Sequence, residues 1–72
     1  MAFQEVVSDL VANVAQVQVK VGQQVEIGHE LVLLESMKME IPVLSEVAGT
    51  VAAVRVAPGD VVQEGEILVV LS

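Results

Sequence analysis

Sliding the 72-residue sequence against itself by 37 positions brings like residues into register without a gap, and no other feature restricts the fold as strongly. Ser8 falls on Ser45, Val14 on Val51, Ala15 on Ala52, Val17 on Val54 and Val19 on Val56. The match continues with Gly22 on Gly59, Val25 on Val62, Gly28 on Gly65, Leu31 on Leu68, Val32 on Val69 and Leu34 on Leu71. Self-similarity over such a period predicts two copies of one structural unit, here about residues 8–35 and 45–72 of a single domain spanning 1–72. A pseudo-two-fold axis is expected between the halves, with residues 36–40 as the joint.

Each half reads as a longer strand, a turn, a short strand, a second turn and a closing apolar strand. In Ala15-Gln16-Val17-Gln18-Val19-Lys20-Val21 the odd positions are apolar and the even ones polar, the period of a strand with one wet face. Leu31 to Leu34 and Ile67 to Leu71 are apolar at consecutive positions, which suits strands covered on both sides and predicts that these two are innermost. Ala57-Pro58-Gly59-Asp60 has proline and glycine at the central positions of a type II turn, and Lys20-Val21-Gly22-Gln23 repeats it without the proline. Gly28 and Gly65 mark the second turns.

Composition points the same way. Valine occupies 18 positions and Phe3 is the only aromatic residue, so the core is built from β-branched and aliphatic side chains of high strand propensity. An all-β fold follows: eight short strands in two four-stranded antiparallel sheets, packed as a sandwich or flattened barrel. No helical period is present.

Ten acidic and three basic residues give a net charge of -7, which disfavours nucleic acid and anionic lipid surfaces as partners. The acids are scattered along the chain and read as a solvated surface. Absence of cysteine excludes disulfides and thiolate chemistry. The longest apolar run is far too short for a membrane span, and Met1-Ala2-Phe3-Gln4-Glu5 lacks a signal-peptide pattern. A small cytoplasmic domain is expected, with no nucleic acid or membrane partner. His29 follows a glycine and has no second histidine or cysteine nearby, so it reads as a solvated turn residue and no metal is expected.

Both internal methionines flank one lysine in Glu35-Ser36-Met37-Lys38-Met39-Glu40, at the joint of the repeat. The strand-like runs on either side place Lys38 at a hairpin tip, where a primary amine is open to acylation. Met37 and Met39 could be core filler or flexible, polarizable contact residues. Their shared flanking of one lysine, with the repeat around it, selects the contact role. Glu35 and Glu40 could steer a partner, though a solvated face explains them as well. No constellation of nucleophile, base and metal is present, so the chain is not read as an enzyme.

Glu35-Ser36-Met37-Lys38-Met39 resembles the attachment motif of the biotinyl domain of biotin carboxyl carrier proteins. Val17 to Val25, Gly28 and Ala48-Gly49-Thr50-Val51 are similar to that family's recurring strand and turn segments, and the duplication is a family trait. The resemblance covers nearly the whole chain. It implies covalent biotin on Lys38, attached by a biotin protein ligase, with Met37 and Met39 as flanking recognition residues. It also implies partnership with biotin carboxylase and carboxyltransferase subunits, between which biotin carries carboxylate.

Two departures stand out. Ser36 replaces a common alanine, and Ala12 stands where Gly49 and most relatives have glycine, which could alter the backbone at the first strand entry. No insertion matches the thumb of some bacterial carriers and no Pro/Ala-rich linker is visible, so a bare attachment domain is expected. A lipoyl domain shares the fold but usually has an acidic residue before its lysine and a small one after, which Met37 and Met39 oppose. Dual modification, or an interaction module whose lysine stays unmodified, is the remaining alternative.

Overall fold

The computed structural model describes residues 3–72, in which the secondary structure consists of eight β-strands and no helix. They are β1 Gln4–Val7, β2 Ala12–Val17, β3 Gln24–Val25, β4 Glu30–Ser36, β5 Met39–Leu44, β6 Gly49–Val54, β7 Val61–Val62 and β8 Ile67–Leu71. One sheet has the order β1-β8-β6-β3 and the other β5-β4-β2-β7, all pairs antiparallel.

Moving each of β1 to β4 on by 37 residues gives β5 to β8, and turns the first sheet order into the second. Single hydrogen bonds obey the same rule. Ser8 N–H donates to Glu66 O (2.9 Å) as Ser45 N–H donates to His29 O (2.8 Å). Gly22 N–H donates to Val51 O and Gly59 N–H to Val14 O, both at 2.8 Å. Each sheet therefore contains two strands from each half of the chain, and the halves are entwined.

The core is aliphatic, as the composition requires. Leu31, Val32 and Leu34 of β4 and Leu68, Val69 and Leu71 of β8 are buried, together with Val14, Val25, Val51 and Val62. As expected, β4 and β8 are inner strands, but a four-stranded sheet has two inner places, and β2 and β6 fill the others.

The alternation expected from Ala15 to Val21 needs correction at both ends. The β2–β4 register shifts between Val14 and Gln16, leaving Ala15 as the extra residue of a β-bulge; Ala52 is its counterpart in the β6–β8 ladder. A bulge adds one residue to one strand and so reverses which face the following side chains take. Ala12 and Val14 are buried before it and Val19 after it, while Ala15 is exposed. Val21 lies at a turn and is 64% exposed.

The two predicted type II turns form. Asp60 N–H donates to Ala57 O and Gln23 N–H to Lys20 O, each at 3.1 Å, with Gly59 and Gly22 at φ 95° and 92°. Positive φ at this turn position is what favours glycine there.

Ser8 and Ser45 are buried polar residues, and each closes a passage from one sheet to the other. The Ser8 hydroxyl donates to Leu10 O at 2.6 Å and that of Ser45 to Val47 O at 2.5 Å. Each hydroxyl oxygen also lies in accepting range of the amide N–H of that same Leu10 or Val47. Among the described residues no buried side-chain polar atom lacks a partner.

Six of the seven connections between successive strands pass from one sheet to the other, and only β4 to β5 stays in one sheet. The symmetry counterpart of that hairpin is the β1–β8 pair, where Gln4 faces Leu71. From Gln4 the chain runs along β1 to Val7, crosses, and enters β2 at Ala12, next to Asn13 whose register partner is Glu35. The β4–β5 turn and the paired residues Gln4 and Leu71 consequently occupy opposite poles of a body measuring 36 × 18 × 17 Å.

Candidate functional site

Strand β4 is an inner strand anchored by buried Leu31, Val32 and Leu34, and β5 is its edge neighbour. Pro42 sits on β5 opposite Leu33, an edge position where its missing N–H leaves no ladder bond unmade on the solvent side. Six register pairs lead from Glu30↔Leu44 up to Glu35↔Glu40 and Ser36↔Met39. Beyond the last pair only Met37 and Lys38 remain to reverse the chain.

Both adopt left-handed backbone conformations, with φ 53° at Met37 and 64° at Lys38. Positive φ at both central residues is the signature of a type I′ hairpin turn, whose twist matches that of the flanking strands and which normally recruits Asn-Gly. For residues with a Cβ the left-handed region costs on the order of 1 kcal/mol each. The ladder below holds the turn in that state. The result is a fixed display of Lys38 at the tip.

Each predicted site residue lies in this hairpin. Lys38 is exposed, Met37 is 86% exposed, and Met39, the first residue of β5, is 60% exposed. Neither methionine enters the core, which removes the core-filler reading. Glu35 and Glu40 are directly opposed, a like-charge pair whose mutual repulsion the ladder tolerates at an exposed position. Lys38 is the only cation from Glu30 to Leu44. The turn geometry was not visible in advance because the Asn or Gly that announces it is absent; the strand-like runs on either side gave a hairpin over residues 36–40 but not a two-residue turn.

Elsewhere the predictions are adjusted. His29 is half-buried rather than solvated: its N–H donates to Glu26 O at 3.0 Å and its ring Nε2 lies 3.5 Å from the Gln23 side-chain nitrogen. Ala12 opens β2 as Gly49 opens β6, and its side chain joins the core, so the strand entry is kept. A Cβ on Gly49 would instead come 2.7 Å from the Ser72 carbonyl oxygen.

Lys38 is exposed, and among the described residues no pocket takes it in. A groove of about 690 Å³ runs between the free edges of β1 and β5, lined by Val6, Leu10, Leu34, Ile41, Val43 and Leu71 among others, and residues 36–39 take no part in it. Among the described residues no group of three or more His, Cys, Asp or Glu side chains is placed to hold a metal ion. An exposed primary amine on a two-residue turn suits amide formation with a carboxyl group delivered by another protein, and leaves the attached group free in solvent.

The biotin–lipoyl family, described as "biotin-requiring enzyme", matches residues 5–71. The chain belongs to this family. Among biotin–lipoyl proteins it is 52% identical over 69 residues to the "biotinylated protein TB7.3 homolog" of Mycobacterium leprae, spanning 96% of this chain and 97% of that one. It is 46% identical over 63 residues to the "biotin/lipoyl attachment protein" of Bacillus subtilis, spanning 88% and 86%. Among solved structures, a single-chain, multi-domain long-chain acyl-CoA carboxylase superposes with a TM-score of 0.89 at 32% identity. That alignment takes in 94% of this chain but only 7% of the carboxylase. The all-β fold of two four-stranded sheets read from the repeat and strand pattern is the fold observed, and it is the biotin–lipoyl fold that the motif resemblance implied.

Proposed function

We propose that this chain is a biotin carrier domain in which Lys38 is the acceptor. The observation that carries the reading is the solitary lysine on a type I′ turn, bracketed by two exposed methionines, at the pole opposite Gln4 and Leu71. The amines of lysine side chains are almost fully protonated at neutral pH, so acyl transfer requires a biotin protein ligase to remove the proton and supply the activated carboxyl. The hairpin presents the nitrogen in one geometry and lowers the orientational cost of that encounter. Met37 and Met39 offer the ligase unbranched, polarizable surface on either side of the nitrogen. When bound, biotin supplies a ureido nitrogen that takes up carboxylate at a biotin carboxylase and releases it at a carboxyltransferase. The chain itself catalyses neither step; the names of its relatives and its likeness to a carboxylase segment support a carrier working with such partners. As a single attachment domain it contributes reach and presentation.

The test is incubation with biotin, ATP and a biotin protein ligase, followed by streptavidin gel shift and intact mass. One biotinyl group is expected on the native chain and none on Lys38→Arg, with both proteins melting at the same temperature. Equal labelling of both would overturn Lys38 as the acceptor. The name of the Bacillus relative favours one further reading, attachment of lipoyl groups to the same lysine. Intact mass of protein from its own host separates a biotinyl from a lipoyl increment.

A further inference from the structure

Oxidants find few targets in this chain. Cysteine, tryptophan and tyrosine are absent and there is one histidine, so thioether sulfur is the only sulfur present. Of the three methionines Met1 lies outside the described residues, and the other two stand on either side of Lys38 at 86% and 60% exposure. No thiol competes for a peroxide, and both methionine side chains are largely open to solvent.

We propose that Met37 and Met39 form a reversible oxidation site that gates acylation of Lys38. The inference rests on the reading of Lys38 as the acceptor. A sulfur lone pair attacks the terminal oxygen of a peroxide, ROOH. One S–O bond forms as the O–O bond breaks, and sulfur gives up two electrons. The proton on the transferred oxygen passes to the departing one, which leaves as ROH, or as water when the oxidant is hydrogen peroxide. A methionine sulfoxide reductase reverses the step, its two thiols becoming a disulfide while the oxygen leaves as water.

The change replaces an apolar contact with a strongly dipolar S=O on each side of the nitrogen the ligase must approach. A ligase surface complementary to thioethers would have to desolvate that oxygen without a matching donor. Because both side chains project from the fold, the same modification leaves the core untouched. This separates gating from damage: loading falls while stability holds.

The experiment oxidises the non-biotinylated protein with dilute hydrogen peroxide, removes the oxidant, and maps the product by peptide mass spectrometry, each sulfoxide adding about 16 Da. The rate of ligase-catalysed biotinylation is then compared with that of untreated protein, and the melting temperature of each is recorded. The expected result is a loss on the order of tenfold in loading rate when Met37 and Met39 are oxidised, recovery after sulfoxide reductase with dithiothreitol, and an unchanged melting temperature. In a Met37→Leu/Met39→Leu double variant the loading rate, whatever its level, should be unmoved by peroxide. Unchanged loading of the doubly oxidised chain would overturn the proposal while leaving Lys38 as acceptor. A peroxide effect of equal size in the double variant would overturn it too. Failure of the untreated chain to load would sink the acceptor reading and this inference with it.

Discussion

At the scale of single residues, the two halves differ where one of them meets the chain end. Gly49 and Ala12 are counterparts in the repeat, yet a Cβ fits at Ala12 within the core and at Gly49 would lie 2.7 Å from the Ser72 carbonyl oxygen. Thr50 and Ser72 exchange backbone hydrogen bonds of 3.1 and 2.8 Å beside it, so the carbonyl is not free to swing away. Gly49→Ala should therefore cost on the order of 1–3 kcal/mol, whereas Ala12→Gly loses only a methyl group and some backbone restriction, about 1–2 kcal/mol. Urea denaturation of both variants checks this, and a Gly49→Ala protein as stable as the native one would refute the close approach. Sequence comparison of the halves exposed the Ala12–Gly49 difference, but not its cause. Contact between Gly49 and the last carbonyl is a three-dimensional fact with no local pattern behind it. Lys38→Arg belongs to the same scale: it removes the proposed acceptor amine and nothing that supports the fold.

Among the elements, the turns carry the most transferable lesson. Val21 occupies in the first half the place of Pro58 in the second, at 64% exposure, and Gly22 and Gly59 share φ to within a few degrees at 92° and 95°. Because the second copy shows that proline is compatible with this turn, Val21→Pro should stabilise the protein by about 0.4–1 kcal/mol, mainly by narrowing the unfolded ensemble. A rise in melting temperature at constant denaturant slope would bear this out, and a fall would mean that the Val21 N–H or its φ has a role of its own. Strands and glycine turns were legible because their signals are local: alternation, apolar runs and Pro-Gly. Two features were not. Bulges at Ala15 and Ala52 reverse the phase of a strand without altering composition, and an alanine inside an alternating run looks like any other strand residue. The left-handed pair at the β4–β5 turn carries Met-Lys where such turns usually carry Asn-Gly, so only the strand ladder beneath it accounts for its shape. Met-Lys held in a costly backbone state by the ladder beneath it is a pair that turn preference alone does not explain.

For the whole molecule, entwining of the halves decides how it folds. Each sheet draws two strands from each half, so neither half has a complete sheet of its own to form. Peptides 1–37 and 38–72 should each show no cooperative thermal transition by circular dichroism, in keeping with the poor prospects of chains under about 40 residues without staples. A cooperative melt from either peptide alone would contradict this account. The repeat predicted two similar halves correctly, but not that they exchange strands, because a sequence period records likeness and not which copy pairs with which. The same topology sets Lys38 and the Gln4–Leu71 pair at opposite poles of a 36 Å body. Anything that holds the protein by Gln4 or Leu71 grips it by the heel. The rest becomes a lever, and a small change of angle at the grip is magnified into a sweep of Lys38 through an arc with most of the molecule's length as its radius.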